Sequence, residues 1–271
     1  MILWLDDAHD VATHMARDAA LLAAVENGHE PVLRLFRFDP PGITLGANQV
    51  PGRELDLAAC ARDGVAWAIR PTGGRAIFHA DEWTYALASA LDDPEWGGTR
   101  AAAYDRMSRI VAASLTRLGV PARMAPGVSR SRRPEDEGPR AEAHPAAPCF
   151  ASTARHEVVL ADRKLVGSAQ RRTSRGLLQQ GSVLLGDGHL RLADYLGVPD
   201  DERERVRAEL RASSATAGPW LGADAPLERW SKAVHEVLGA GVRLARSAPV
   251  RVSLTAPESA PYTPSVSQVQ S

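Results

Sequence analysis

Helical and strand-like apolar patterns alternate along this chain, and their order limits the fold more than any other feature. Apolar residues recur every three or four positions in residues 7–26 and again in residues 104–118, which predicts two amphipathic helices. Near-alternation in residues 32–38 predicts a strand that ends before Pro40. Because the order lacks the regular β-α-β repeat of parallel sheets, we expect an α+β fold with mixed, largely antiparallel β-sheets and helices packed on their faces.

The same patterns predict the remaining elements. We expect residues 43–45 to form a strand that pairs with 32–38, and residues 156–161 and 165–169 to form a hairpin around a turn at 162–164. A positive φ at Arg163 in that turn would cost on the order of 1 kcal/mol. Further strands are expected at 65–69, 76–78, 83–91 and 177–185, and further helices at 54–61, 202–212 and 226–238.

The chain is long enough for one sizeable core. It has 271 residues, 44% of them hydrophobic, and we expect a single catalytic domain over residues 1–257. Residues 129–147 are charged and rich in proline, with almost nothing apolar, which predicts a mobile loop within that domain. The Pro- and Ser-rich residues 258–271 are expected to be a disordered tail.

Composition excludes several classes of function. Lys and Arg total 32 against 33 Asp and Glu, so the chain lacks the positive field that nonspecific nucleic-acid binding needs. Two cysteines cannot form a disulfide framework, and no His, Cys and carboxylate cluster has metal-ligand spacing, so we expect no metal site. No apolar stretch approaches the roughly 20 residues that span a bilayer, and Asp6 and Asp7 stand where a signal peptide would carry Lys or Arg, so we expect neither a membrane span nor a signal peptide. We therefore expect a cytoplasmic protein without a membrane partner. We also expect a monomer.

The turn Thr72-Gly73-Gly74-Arg75 lies between two predicted strands. Paired glycines let main-chain amides approach a ligand carbonyl, carboxylate or phosphate, and Arg70 and Arg75 could add charged donors. Such turns are more often purely structural, and this one matches neither the phosphate-loop nor the dinucleotide-binding pattern. His79 follows nearby as a candidate site residue, although a histidine at a strand end is more often a satisfied structural group.

Two segments in the second half carry further candidates. Cys149 follows the polar loop, where a thiol could be exposed and reactive, whereas Cys60 lies in an apolar helix and is interpreted as a packing residue.

Lys164 is either a solvated turn lysine or a site residue. The strand after it is rich in small residues that would leave room for a ligand, and the next strand places polar groups in an apolar run. These candidates are Gly167, Ser168, Ala169, Gln179, Gly181 and Ser182.

In combination, these segments resemble the catalytic-domain family of lipoate-protein ligase A, octanoyltransferases and biotin-protein ligases. The chain is most similar to the cysteine-dependent octanoyl-[acyl-carrier-protein]:protein octanoyltransferase branch, over about residues 10 to 240. The motifs that carry the resemblance occupy residues 15–22, 33–46, 70–76 with His79 and Thr84-Tyr85, Cys149-Phe150, 163–172 and 178–182. Gln180 stands where the family usually has a histidine, Arg163 replaces a common turn glycine, and an acidic residue expected directly after His79 is displaced to Asp81.

The resemblance implies that the 72–75 turn and the 167–170 strand wall a tunnel for an eight-carbon acyl chain, with Lys164 near its carbonyl. It also implies that Cys149 accepts the acyl group from octanoyl-acyl carrier protein and passes it to a lysine of a lipoyl domain or a glycine-cleavage H-type protein. No cofactor is then required. Two alternatives remain open: an ATP- and Mg²⁺-dependent lipoate ligase that forms lipoyl-AMP, and a non-catalytic binder of acyl carriers or lipoyl domains.

Overall fold

The computed structural model describes residues 1–125 and 157–250, and every structural statement below concerns those residues. The helices are α1 (Val11–Glu26), α2 (Pro51–Glu54), α3 (Leu57–Arg62), α4 (Arg100–Arg117), α5 (Asp200–Ser213), α6 (Gly218–Leu221) and α7 (Leu227–Leu238), with a 3₁₀ helix at Asp187–Tyr195. The strands are β1 (Ile2–Leu5), β2 (Val32–Phe36), β3 (Gly42–Leu45), β4 (Ala66–Ile69), β5 (Ile77–His79), β6 (Glu82–Ala90), β7 (Arg123–Met124), β8 (Val158–Leu160), β9 (Arg163–Lys164), β10 (Val166–Arg172), β11 (Gly176–Leu184) and β12 (Arg243–Ala245).

The strands in the described residues form three sheets. The largest has the order β10-β11-β6-β2-β1-β12, in which β1 runs parallel to both of its neighbours and the other pairs are antiparallel. A second sheet has the order β4-β3-β5, and a third has the order β7-β8-β9. The mixed, mostly antiparallel arrangement confirms the α+β fold class.

Helices cover both faces of the six-stranded sheet. Helix α1 packs on β6 and β11 and also contacts β3 and β4, so it lies between the large sheet and the second sheet. Helices α4 and α7 pack together on the opposite face. Each face thus has its own apolar core, because a central strand such as β6 buries both of its sides. None of these helices combines the length and the apolar character that crossing a bilayer requires.

Polar caps set where the predicted helices begin. The carboxylate of Asp10 accepts a hydrogen bond from Thr13 N at 2.7 Å, so α1 starts at Val11 rather than at the predicted position 7. The hydroxyl of Thr99 accepts from Ala102 N in the same way at the start of α4. Apolar periodicity reports the buried face of a helix, whereas the cap determines its first turn.

Two expectations about strand pairing were wrong. Strand β2 does not pair with β3, because β1 and β6 already occupy its two edges and β3 lies instead between β4 and β5. The hairpin turn consists of Ala161 and Asp162, with φ of 48° and 63°, so Arg163 carries no strained φ and is paired with Leu160. The chain then leaves the hairpin after Lys164 and enters the six-stranded sheet as β10.

Residues 129–147, Cys149, Phe150 and the tail 258–271 lie outside the described residues. The structure also contains elements that the patterns did not predict, including β1, β12 and the 3₁₀ helix. Strand β1 has four consecutive buried apolar residues, which is too short a run to show either periodicity.

Packing of two tryptophans joins the six-stranded sheet to α7. The rings of Trp83 and Trp230 stack at 5.4 Å, and the Trp230 indole donates to Ser114 Oγ at 2.9 Å. We expect Trp230→Ala to lower the free energy of unfolding by about 3–5 kcal/mol, because it opens a large cavity. Trp220 is 43% exposed, and we expect Trp220→Ala to change stability by less than about 0.5 kcal/mol. Urea unfolding of both variants measures the difference, and equal losses would contradict the packing argument.

Candidate functional site

A narrow cleft with a cavity volume of about 20 Å³, partly open to solvent, lies where β10 and β11 approach the second sheet. Apolar side chains and hydroxyl, amide and guanidinium groups line it together, as in sites that hold an apolar ligand with one polar end. Its lining residues are Met15, Phe38, Thr44, Arg70, Ile77, His79, Thr84, Gly167, Ser168, Ala169, Gln180, Gly181 and Ser182.

The structure brings half of the predicted site residues together in this cleft. Those that line it are Arg70, His79, Gly167, Ser168, Ala169, Gly181 and Ser182. Six other residues line the cleft and were not predicted as site residues from the sequence. They come from α1, β3, β5, β6, β11 and the segment after β2. Five of them, Met15, Phe38, Thr44, Thr84 and Gln180, stand inside the family motifs, so a signal for them was present. Ile77 lies outside those motifs.

Strand alternation separates the two glutamines of β11. Gln180 faces α1, where its Nε2 donates to Asp18 Oδ2 at 2.5 Å. Gln179 faces the opposite core and donates to the Tyr85 hydroxyl at 3.2 Å. Tyr85 in turn is 2.8 Å from Ser168 Oγ, which ties β6 to β10 beneath the cleft. The structure therefore places Gln179 behind the cleft wall, while Gln180 forms the wall itself.

The predicted glycine turn lies beside the cleft and is shaped by a buried arginine. The Arg70 guanidinium donates to the carbonyls of Gly73 at 2.7 Å and Arg75 at 2.8 Å, and to Thr44 O at 3.2 Å. The main chain of the turn therefore curves around the Arg70 side chain. Within the described residues, the Gly73 and Gly74 N–H groups donate to no acceptor.

Position 74, at the tip of the turn, requires a glycine. Its φ of +99° is unfavourable for other residues, and a Cβ there would lie 2.6 Å from Arg70 Nη2. A Cβ on Gly46 would in turn lie 2.1 Å from the carbonyl oxygen of Gly74. The two glycines allow the turn to pack directly on the end of β3, where Ala47 N donates to Thr72 O at 2.9 Å.

Both ring nitrogens of His79 are engaged. Its Nδ1 is 2.7 Å from Glu82 Oε1, which can only accept, so the proton lies on Nδ1. Its Nε2 is 2.7 Å from Thr44 Oγ1, and the ring stacks on Phe38 at 4.0 Å. The imidazole therefore forms a fixed part of the cleft wall rather than a free base.

Lys164 is buried outside the set of cleft-lining residues. Its Nζ lies 2.6 Å from Glu157 Oε1, and both side chains are 5% exposed. The structure thus rules out the solvated turn lysine. Glu157 is the first described residue after the segment that contains Cys149, and Cys149 itself lies outside the described residues. Cys60 is buried in α3 as predicted, and burial raises the pKa of its thiol.

A buried charge cluster lies behind the cleft, under α1. Arg34 is fully buried, and its guanidinium contacts Asp6 Oδ2 at 2.7 Å and Asp18 Oδ1 at 2.6 Å. Asp6 also pairs with Arg17. In the described residues, Asp6, Asp7 and His9 are the group whose donor atoms could meet at one metal ion. The two guanidinium groups already on Asp6 make a cation unfavourable there.

His14 completes this cluster as a neutral ring. Arg34 Nη2 can only donate, so the contacting His14 Nδ1 must accept, while Nε2 lies 2.8 Å from the Arg37 carbonyl and 3.1 Å from the main-chain nitrogen of His9. Burial and the Arg34 charge lower the pKa of His14 to about 2. The native state therefore does not protonate His14 under mildly acidic conditions.

This histidine predicts a loss of stability below pH 6.5. A histidine in the unfolded chain binds a proton near pH 6.5 and the native His14 does not, so acid favours unfolding by about 1.4 kcal/mol per pH unit. Glutamine can accept from Arg34 and donate to the Arg37 carbonyl. Between pH 7.5 and 5.5, the free energy of unfolding of His14→Gln should fall by about 1.4 kcal/mol less than that of the unchanged protein. His29→Gln, at the surface, serves as the control, and identical pH slopes for all three proteins would contradict the assignment.

Gly181 leaves room for Tyr85 under the cleft. A Cβ at position 181 would lie 2.4 Å from Tyr85 Cε1 and 2.7 Å from Ser168 Oγ. We expect Gly181→Ala to lower the free energy of unfolding by about 1–3 kcal/mol, because the buried tyrosine must shift. A Cβ at Gly52 in α2 would meet nothing within 4 Å, so Gly52→Ala should not destabilise the protein. Thermal unfolding of the pair measures the contrast, and an unchanged Gly181→Ala midpoint would refute the close packing.

Comparisons with known proteins point to one family. Residues 10–238 match the family described as lipoyl protein ligase A/B catalytic domain. The chain is 36% identical over 228 residues to "Octanoyltransferase LipM" of Kyrpidia tusciae, covering 83% of this chain and 81% of that protein. It is 38% identical over 207 residues to the protein of the same name from Moorella thermoacetica, covering 75% and 70%.

Solved structures agree on the fold. The bipartite lipoate protein ligase of Thermoplasma acidophilum, solved in a study that includes its E2 lipoyl domain, gives a TM-score of 0.68 at 21% identity, covering 91% of this chain and 86% of that chain. Lipoate-protein ligase A bound with ATP gives a TM-score of 0.66 at 20% identity, covering 91% and 87%. The family match spans most of the chain and includes every strand that lines the cleft, so the chain belongs to the lipoyl protein ligase A/B catalytic domain family.

Proposed function

We propose that this protein is an octanoyltransferase that moves an octanoyl group from octanoyl-acyl carrier protein to a lysine of a lipoyl domain or a glycine-cleavage H-type protein. The observation that carries the proposal is its similarity to curated octanoyltransferases over 83% of the chain. The mixed apolar and polar cleft supports it, because an octanoyl thioester has an apolar chain and one polar carbonyl. In this proposal residues 1–257 form one domain, and the enzyme acts as a cytoplasmic monomer.

Cys149 is the proposed nucleophile. Its thiolate attacks the carbonyl carbon of the octanoyl thioester and forms a new C–S bond, and the phosphopantetheine thiolate leaves and takes up a proton. The lysine ε-amine of the acceptor domain then attacks the enzyme thioester. An amide forms, the amine loses a proton, and the Cys149 thiolate is released. Exchange between thioesters is nearly thermoneutral and amide formation is downhill, so the cycle needs no nucleotide and no metal.

Lys164 is the proposed partner of this thiol. Its ammonium would favour the thiolate by charge and could carry a proton between nucleophile and leaving group. The contact with Glu157 at 2.6 Å supports this role, because it keeps a buried ammonium at the end of the segment that contains Cys149. A buried lysine without a counter-ion would instead favour its neutral form.

The glycine turn is the proposed site for the developing oxyanion. The main-chain N–H groups of Gly73 and Gly74 donate to no acceptor in the described residues, and Arg70 fixes the turn that carries them. A well-placed oxyanion donor contributes roughly 3 kcal/mol to transition-state stabilisation. The remaining residues predicted from the sequence are proposed to shape the acyl site: Thr72, Arg75, His79, Gly167, Ser168, Ala169, Gln179, Gly181 and Ser182.

Mass spectrometry after mixing with octanoyl-acyl carrier protein tests the proposal. We expect the protein to gain the mass of one octanoyl group, and to lose it when an apo lipoyl domain is added, which then carries the group. Cys149→Ala should abolish the adduct, whereas Cys60→Ala should retain it, because Cys60 is a buried packing residue. An adduct that persists in Cys149→Ala would refute the acyl-enzyme.

The same samples separate the alternatives. Release of pyrophosphate from ATP in the presence of lipoate and Mg²⁺, undiminished in Cys149→Ala, would identify a ligase instead. Binding of the lipoyl domain without any transfer from either donor would identify a non-catalytic binder.

A further inference from the structure

Four buried side chains form an unbroken chain of hydrogen bonds from the six-stranded sheet to the glycine turn. Arg34 Nη1 on β2 contacts Asp18 Oδ1 on α1 at 2.6 Å, and Asp18 Oδ2 accepts from Gln180 Nε2 on β11 at 2.5 Å. Gln180 Oε1 then accepts from Thr72 Oγ1 at 2.6 Å. Three of these residues are fully buried and Gln180 is 7% exposed, so water does not compete for the links.

The two ends of this chain differ in how firmly they are held. Arg34 is fixed by Asp6 and stacks 4.0 Å from the Phe36 ring. Thr72 begins the turn. Among the described residues, the turn is also held by a main-chain bond from Ala47, by the Arg70 guanidinium and by an exposed contact from Arg171 on β10 to Pro71 O at 3.1 Å. The buried link from Thr72 to Gln180 joins the turn to β11, and Gln180 itself lines the cleft.

We propose that Asp18 is a positioning residue for acyl transfer: held by Arg34, it orients Gln180, and Gln180 holds the Thr72 turn at the distance from β11 that the acyl donor requires. This proposal rests on the proposed octanoyl transfer. Asp18 itself is fully buried and does not line the cleft, so it acts only through Gln180. Its carboxylate can accept from both neighbours at once, which an apolar residue cannot do.

This chain of bonds positions both one wall of the donor site and the proposed oxyanion donors. If the turn moves away from β11, the acyl donor loses that wall, and the Gly73 and Gly74 N–H groups move with the turn. Breaking any link should therefore raise KM for octanoyl-acyl carrier protein about tenfold, the effect of one lost hydrogen bond, and should also lower kcat.

Three single variants and their combinations test this chain. Thr72→Val, Gln180→Met and Asp18→Asn each remove or weaken one link. We expect Thr72→Val combined with Gln180→Met to raise KM no more than either alone, because both remove the same connection. Multiplied effects in the double variant would overturn the proposal, since independent contributions would then explain the single losses.

A swap of the two polar groups provides the rescue. Gln180→Glu alone places two carboxylates against each other and should raise KM. Combined with Asp18→Asn, the amide at position 18 donates to the carboxylate at position 180, which still accepts from Thr72, while Arg34 donates to the amide oxygen. We expect the double variant to recover KM to within about threefold of the unchanged protein. A KM no better than that of Gln180→Glu would count against the proposal.

A matched control tests whether a general loss of stability explains the rise in KM. Trp230→Phe destabilises the opposite face of the six-stranded sheet and should leave KM unchanged at the same assay temperature. If it raises KM as much as Asp18→Asn does, the proposal is overturned.

Hydrogen exchange of the Ala47 amide, which donates to Thr72 O at 2.9 Å, gives a readout of the turn that is independent of transfer. The three network variants should speed exchange there, and Trp230→Phe should not. If the unchanged protein transfers no octanoyl group, the proposed function fails, and this exchange still decides the physical claim. Unchanged exchange in Asp18→Asn would overturn it.

Discussion

A single buried guanidinium holds together the elements on which the cleft depends. Arg34 is fully buried and meets carboxylates from two other parts of the chain: Asp6, directly after β1, and Asp18, on α1. Burying such charges is costly unless each is paired and hydrogen bonded, and here the cluster satisfies that condition with the ring of His14 as a further acceptor. Burial raises the pKa of Asp18, although the Arg34 charge opposes that effect. The cluster therefore stabilises one specific packing of α1 on the sheet, because any other packing would leave a charge unpaired.

Local sequence patterns could predict the walls of the cleft but not the connections between them. The glycine turn and the small-residue strand were both recognised, because turn chemistry and alternation are properties of neighbouring residues. The bonds that join them are different: Thr72 and Gln180 are 108 positions apart, and Asp18 and Gln180 are 162 apart. No periodicity links such positions. Likewise Phe38 and Ile77 line the cleft only because the second sheet folds against the first. The two failed strand-pairing expectations have the same origin, since chain proximity does not show that both edges of β2 are occupied.

Division into a large and a small sheet explains how the cleft is formed. The six-stranded sheet supplies β10 and β11, whose small side chains leave space in the cleft. The second sheet supplies β3 and β5 on the facing side. Helix α1 contacts both sheets and so fixes their separation. The glycine turn closes one side, because Gly46 and Gly74 permit contact between its backbone and the end of β3. The cleft is thus an interface between two sheets, and its width depends on the packing of α1.

The glutamine at position 180 shows why a departure from the family pattern can preserve the site. The resemblance drawn from the sequence implies a histidine there, and a neutral imidazole offers one donor and one acceptor. Gln180 uses the same pair, donating to Asp18 and accepting from Thr72, so both neighbours remain satisfied. The amide has no proton to gain at physiological pH, so the side chain at position 180 keeps one form as the pH changes. An imidazole in this position would face the carboxylate of Asp18 and could take up a second proton. Glutamine at position 180 therefore supplies both hydrogen bonds of the link without adding a titratable ring to it.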